Sequence, residues 1–348
     1  MRILTIGPSP YLLTQNGRIN RDILLMAAKN GHHAESVVWH HDINYFLPNE
    51  VNKHTYNGKF TLHPFLGEKG NLPPFAFEAM KTSQPNLIVT IGDYSETDFV
   101  WAMKSLYPHL FKWIAIVSSG TDVLNERHRL PISYADVIIT TSKSAYEAFG
   151  KAKTKVEYIP YGPDLTRFSQ IDGMLSSDFT ALNMGKNAQI SNVPAFLRAI
   201  AMSGINGSLH TNIDDGDEQG VRNLITRYGI QDKMLLPTKY VSIRDGFSDA
   251  EINELYNKHH VIVDCSMQSA TALTLLEAMS VGCLPICMEN GACSEILGKM
   301  PSEFRFSIPF ETLIGPKEES LAVISVKELA STLKNIQERC LSEPDWFY

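Results

Sequence analysis

No stretch of this chain approaches the about 18 consecutive apolar residues that a membrane-spanning helix needs, so none is expected. The opening run Met1-Arg-Ile-Leu-Thr-Ile-Gly7 has too short an apolar core for a secretory signal before Pro8, and reads as a first strand. Cysteine is scarce. Cys265, Cys283, Cys287, Cys293 and Cys340 are odd in number and form no CxxC, which argues against a disulfide framework or a thiolate metal centre and for buried reduced thiols. These absences point to a cytoplasmic protein. Basic residues do not dominate either: 31 stand against 38 acidic ones, a net charge of −7, which advertises no nucleic-acid surface although a local patch is compatible with that total.

Three phosphate and metal motifs are also missing. Gly7-Pro-Ser-Pro-Tyr-Leu-Leu-Thr-Gln-Asn-Gly17 stands where a G-x-G-x-x-G would follow the first strand, which counts against a nicotinamide-dependent oxidoreductase. There is no G-x-x-x-x-G-K-[ST], which excludes a P-loop, and residues 1–168 carry no D-x-D to anchor a metal. The acidic run Asp214-Asp-Gly-Asp-Glu218 lacks the spacing of a calcium loop and reads as a solvated turn.

What is present is alternation. Ile3–Gly7, Ala34–Trp39, Leu87–Ile91, Trp113–Val117 and Val137–Thr140 are short β-branched runs, and Ile19, Ile23, Met26 and Ala27 recur at helical spacing before an Asn30-Gly31 stop. Residues 44–56 and 62–71 are less periodic and are expected to be loops. Tyr158–Phe168 is turn-rich and 169–177 is small and polar, which puts a linker at about 165–178. A second series follows: strands at Thr180–Met184, Ser208–Thr211, Met234–Leu236, Val261–Asp264 and Leu284–Met288, and helices at Val193–Met202, Val221–Tyr228, Asp249–Asn257 and Ala272–Val281. Ile324–Arg339 aligns Val326, Leu329, Leu333 and Ile336 on one helical side, and the aromatic tail Trp346-Phe-Tyr348 is expected to dock. The expectation is an α/β protein of two domains of like, mostly parallel architecture facing a central cleft: 1–168, 178–323, and a segment 324–348 able to pack back on the N-terminal domain.

The run from Ser269 to Pro285 holds the most chemistry. It reads as polar loop, helix, glycine stop and strand, the unit with which an α/β protein holds a phosphorylated ligand at the carboxyl end of its sheet. Glu277 lies among Leu273, Leu275, Leu276 and Met279, a setting too apolar for a carboxylate without a partner: a ligand hydroxyl, a backbone donor, or a structural ion pair. Gly185-Lys186-Asn187 directly follows a strand, so Lys186 can meet an anion beside the next helix's free N–H groups.

Five places resemble the retaining glycosyltransferase family 4, whose fold is the two-Rossmann GT-B architecture. They are Gly17 with the later Asn30-Gly31-His32, Gly120-Thr121-Asp122, Ala135-Asp136 to Ser142, Ile159-Pro-Tyr-Gly162-Pro-Asp164 to Phe168, and Glu277-Ala-Met-Ser-Val-Gly282-Cys-Leu-Pro285. The resemblance implies a retaining hexosyltransferase (EC 2.4) that moves a hexose from a UDP- or GDP-linked donor to an acceptor hydroxyl. It implies no tightly bound cofactor and no metal. Glu277 would bind the donor ribose and Lys186 would take the place of a diphosphate-binding arginine. Asn290, Gly291 and Ala292 would lie near the sugar and phosphates, and Thr238 to Val241 would line the nucleobase pocket. Gly17 belongs to the family's opening glycine loop, while Ser269 and Thr271 belong to the donor loop. Asp122 would orient the acceptor and count with Lys186 and Glu277 as catalytic, and Asp93 is a second candidate for that orienting task.

Two residues depart from the family pattern. Ser269 replaces the first glutamate of an E-x7-E pair, and Ser191 replaces a lysine. Lys143, Arg167 and Arg198 are conceivable substitutes for the missing cation. The departures keep a second reading in view, a non-catalytic sugar-nucleotide or glycan-binding protein on the same fold. The acceptor is a hydroxyl-bearing molecule; nucleic acid is not indicated, but modified DNA stays among the candidates.

Overall fold

The computed structural model describes residues 1–12, 14–39, 58–65, 71–118, 130–150, 154–185, 187–211, 220–237, 247–315, 320–343 and 346. The chain divides into two units, Met1–Pro160 and Tyr161–Tyr348.

The first unit is built on seven parallel strands: β1 (Arg2–Pro8), β2 (His33–Trp39), β3 (Thr61–Phe65), β4 (Leu87–Gly92), β5 (Lys112–Val117), β6 (Val137–Thr140) and β7 (Lys155–Tyr158). Their order across the sheet is β3-β2-β1-β4-β5-β6-β7. Central strands such as β1, with Ile3, Leu4 and Ile6 buried, are apolar on both faces because helices cover both. The helices are α1 (Gln15–Lys29), α2 (Leu72–Ser83), α3 (Tyr94–Thr97), α4 (Val100–Leu106) and α5 (Lys143–Phe149). Thr14 caps α1 by accepting the Gly17 N–H, and Ser142 caps α5 by accepting the Ala145 N–H. Asn20 pins α1 to the sheet: it donates to the Pro8 carbonyl (2.8 Å) and accepts from Thr5 Oγ1 (2.6 Å). Strand order reverses between β1 and β4, which makes their carboxyl ends the topological switch point of this unit.

One expectation fails here. Leu62–Phe65 belongs to strand β3, not to a loop. It is an edge strand carrying Pro64, a residue tolerated only at such a margin, and so short a run shows no period of its own.

The second unit repeats the plan. Strands β8 (Thr180–Met184), β9 (Asn206–His210), β10 (Met234–Leu235), β11 (Val261–Asp264), β12 (Leu284–Cys287) and β13 (Phe306–Ser307) lie parallel in the order β10-β9-β8-β11-β12-β13. Helices α6 (Val193–Ser203), α7 (Val221–Tyr228), α8 (Asp249–Asn257), α9 (Leu273–Ser280), α10 (Gly291–Leu297) and α11 (Val326–Ser342) complete it. A hairpin of β14 (Phe310–Ile314) and β15 (Ser320–Ile324) precedes α11. The last helix therefore starts two residues later than its apolar period suggests: Ile324 ends a strand, and Ser325 caps the helix by accepting the Glu328 N–H. Leu329, Leu333 and Ile336 of α11 join Phe196 and Ile200 of α6 in one buried cluster. Trp346 docks on the same unit, stacked on Phe304 with the Arg339 guanidinium 4.0 Å from its ring centre.

Four cysteines of this unit, Cys265, Cys283, Cys287 and Cys293, are free and buried, and Cys340 is half-buried. Burial raises the Cys265 thiol and pushes Cys283 up to about 12, so both stay protonated and unreactive at neutral pH.

His260, at the foot of β11, gives the unit an acid-sensitive point. Burial, and to a lesser degree the charge of neighbouring His259, lowers its pKa to about 4. Its neutral Nδ1 accepts the Thr180 N–H at 3.4 Å, which the protonated ring cannot do. A pKa depressed below the unfolded value of about 6.5 contributes stability that is complete above that value and lost as pH falls towards 4. Urea unfolding at pH 7 and pH 5 is expected to show a loss of roughly 1 kcal/mol at the lower pH after allowing for solvent screening. His260→Gln should flatten that part of the profile; an unchanged slope would place the acid sensitivity elsewhere.

Candidate functional site

In a doubly wound sheet, ligands gather beyond the carboxyl ends of the strands where the order reverses. In the second unit that point lies between β8 and β11. Three loops meet there: 185–192 after β8, 265–272 after β11 and 288–291 after β12.

Backbone bonds stitch them together. The Met267 N–H donates to the Ile190 carbonyl (2.8 Å), and the Ala292 N–H donates to the Ser269 carbonyl (2.9 Å). The Met267 carbonyl accepts from the Asn290 side-chain amide (3.2 Å) and from the Ala322 N–H of β15 (2.8 Å). Each loop feeds a helix: α6, α9 and α10 start at Asn192, Ala272 and Asn290, and none of these three residues caps its helix with its own side chain. Asn192 (φ 49°) and Ala272 (φ 50°) both hold the left-handed conformation without being glycine, a cost that persists only where the surroundings impose it. The resulting edge carries the positive ends of three helix dipoles and suits an anion.

Of the residues singled out from sequence, the structure brings Ser191, Ser269, Thr271, Asn290, Gly291 and Ala292 onto this edge. Ser269 and Thr271 are buried. The Cys293 thiol behind them lies 3.8 Å from Asp264 Oδ2, and neighbouring Cys287 and burial raise its pKa well above the ordinary thiol value. Ala292 and Asn290 spend polar groups on holding the loops together. Gly291 opens α10 with φ 49°, a value that suits glycine.

Glu277 sits in the middle of α9, 3% exposed. Its Oε2 accepts a hydrogen bond of 3.0 Å from the phenol of Tyr256 on α8, and that phenol also lies 3.1 Å from Met184 Sδ at the end of β8. The Tyr256 phenol thus links Glu277 to the carboxyl end of β8, one of the two strands at the switch point. Tyr256 did not stand out in the sequence. Its one signal is a tyrosine at the buried position of a helix, which needs a partner for its hydroxyl.

In the first unit, Gly17 has a packing reason. A Cβ there would stand 2.6 Å from the Leu12 carbonyl oxygen and 2.8 Å from that of Ser9, so only glycine lets α1 close on the loop after β1. Asn16 accepts from Ser118 Oγ at 2.8 Å, tying the start of α1 to the end of β5. Arg167 is engaged by Asp164 (2.9 Å) and Asp249 (3.2 Å), Lys143 pairs with Glu147 (3.9 Å), and Arg198 faces solvent on α6. Lys186, Asp122, Thr238 and Val241 lie outside the described residues, as do Gly120, Thr121 and the acidic run 214–218. Among the described residues no group of three or more His, Cys, Asp or Glu side chains could hold a metal ion, and no helix is long and apolar enough to cross a membrane.

No protein-family model matches the chain, and no curated protein matches it by sequence. Solved structures do match it. Sucrose-phosphate synthase from Thermosynechococcus elongatus superposes with a TM-score of 0.75 at 16% identity, over 99% of this chain and 91% of that one. Anabaena HepE in complex with UDP and glucose gives 0.67 at 14% identity, over 99% and 91%. The catalytic domain of starch synthase IV from Arabidopsis thaliana, bound to ADP and acarbose, gives 0.64 at 13% identity, over 100% and 94%. At such identities the likeness establishes the fold: two Rossmann-like domains of the GT-B type.

Proposed function

We propose that the protein is a glycosyltransferase that moves a hexose from a nucleoside-diphosphate sugar to an acceptor hydroxyl with retention of anomeric configuration. The observation that carries this reading is the buried carboxylate of Glu277 on α9, in the unit whose switch point gathers the starts of α6, α9 and α10. A donor of this kind offers both matching groups: ribose hydroxyls for the carboxylate and a diphosphate for the helix ends. The neighbours HepE and starch synthase IV were solved with UDP and ADP respectively, which supports a nucleotide at the corresponding edge of this fold.

Glu277 accepts the ribose hydroxyls. Lys186, Ser191 and the backbone around Gly291 hold the diphosphate, and residues 238–241 line the base. We assign the acceptor to the first unit, with Asp122 and the Gly17 loop near its hydroxyl. The bond from the sugar's anomeric carbon to the diphosphate oxygen breaks as the acceptor oxygen bonds that carbon on the same face, and the acceptor proton passes to the departing phosphate. No carboxylate nucleophile is needed for that step, so Ser269 is compatible with turnover. The binding-only reading is favoured by one observation: the buried residue at position 269 is a serine, where the family pattern has a glutamate.

Thermal shift against UDP-, GDP- and ADP-sugars tests the reading. A donor at 100 times its Kd stabilises by about 2.7 kcal/mol, a rise of roughly 5–10 °C for a domain of this size. The absence of a shift with every donor overturns the proposal. Binding without hydrolysis or transfer across an acceptor panel would select the binding-only form.

A further inference from the structure

We infer that Tyr256 is a positioning residue for Glu277, orienting the carboxylate so that it can accept two ribose hydroxyls at once. This inference rests on the donor-site reading and deepens it.

Tyr256 is fully buried on α8, and its hydroxyl lies 3.0 Å from Glu277 Oε2 and 3.1 Å from Met184 Sδ. A phenol has one proton. A carboxylate is a far stronger acceptor than a thioether, so the phenol donates its hydrogen bond to Glu277. An ionised carboxylate has about four lone-pair sites, and the phenol takes one on Oε2. That bond fixes the carboxylate's plane.

The phenol is itself held. Phe168 packs its ring edge-on against Tyr256, with centroids 5.9 Å apart, and the Phe168 carbonyl accepts from Ser280 Oγ at 3.3 Å on the helix that carries Glu277. The strand of chain around Phe168 is strapped to α8. Asn253 Oδ1 accepts the Ser169 N–H (3.1 Å), Asn257 Oδ1 accepts the Ile171 N–H (2.7 Å), and Asn257 Nδ2 donates to the Ser169 carbonyl (3.1 Å). The strap holds the ring, the ring holds the phenol, and the phenol holds the carboxylate. A tyrosine that merely satisfied a buried acid would not discriminate between nucleotides with and without ribose hydroxyls.

The experiment uses that distinction. The tightest binder among UDP, GDP and ADP, and its 2′,3′-dideoxy counterpart, are titrated calorimetrically into wild type, Tyr256→Phe, Glu277→Gln and the double variant, with melting midpoints recorded alongside. Wild type is expected to prefer the ribose form by about 10- to 100-fold, the range for hydrogen bonds to a charged group. Tyr256→Phe should cut that preference at least about 5-fold. On a Glu277→Gln background it should change nothing beyond about 2-fold, because the phenol acts only through the carboxylate. Should Tyr256→Phe not fold, Phe168→Leu, which slackens the ring and keeps the phenol, should lower the preference in the same direction. A folded Tyr256→Phe with the full wild-type preference overturns the positioning role and leaves the donor site standing. Equal binding of both nucleotides by wild type removes the ribose contact itself, and this inference with it.

Discussion

Glu277→Gln is expected to weaken nucleoside-diphosphate binding by about 10- to 100-fold while the protein stays folded. The carboxylate is nearly fully buried, and the described hydrogen bond to Oε2 comes from a neutral phenol. An amide oxygen at the same place can still accept from Tyr256, so that hydrogen bond is kept. The lost component is the charge-assisted part of the bonds to ribose, about 1.5–3 kcal/mol, which converts to that range of affinity. Glu277→Ala should weaken binding further but also opens a cavity beside Tyr256, so its stability loss is larger and its affinity loss harder to assign. Calorimetric titration with a melting curve checks both. Unchanged affinity in a folded Glu277→Gln would remove the residue from the donor site and make it a structural acid.

The second large effect lies in the first unit. Asp136→Asn is expected to cost about 2–4 kcal/mol of stability, because it strands an ammonium group. Lys104 is 7% exposed. It donates to the carbonyls of Phe111 (2.8 Å) and Pro108 (3.0 Å), and its only carboxylate partner among the described residues is Asp136 at 2.7 Å. Asp136 also accepts the Trp113 N–H at 2.8 Å and the exposed Lys112 at 3.0 Å. Burial by itself would raise its pKa. The hydrogen bonds from Lys104, Trp113 and Lys112 outweigh that and hold it below the ordinary carboxylate value. Its contribution is therefore complete above about pH 4 and is lost as pH falls through the depressed folded pKa. Urea unfolding should show Asp136→Asn far below wild type and Lys112→Ala within about 1 kcal/mol of it, since Lys112 is a solvent-exposed partner. Equal losses for the two would mean that the buried ammonium is not what Asp136 serves.

The Ala135-Asp136 pair entered as part of a resemblance, and the tertiary structure supplies its reason. Asp136 glues the starts of β5 and β6 and neutralises a lysine that arrives from α4. No periodicity in the sequence connects position 104 with position 136. The same holds for Gly17, legible as a glycine at a loop-to-helix junction but explained only by the two carbonyl oxygens that leave no room for a Cβ. Strands were legible where β-branched runs are buried on both faces, as in β4 and β11. They were not legible at margins: β3 carries a proline, and β14–β15 is a hairpin whose last residue continues the apolar period of the following helix.

By itself, the sequence determined that the chain alternates short buried strands with helices in two series, and that one acidic residue stands within an apolar helix beside a glycine stop. Those are local properties, set by side-chain period and by turn chemistry. Only the tertiary structure decided where the sheet order reverses, which three helix starts converge there, and that Tyr256, 21 residues before Glu277 in the chain, lies within hydrogen-bonding distance of it. Partnership across helices depends on how faces pack, and packing is a property of the assembled layers, not of any window of the chain.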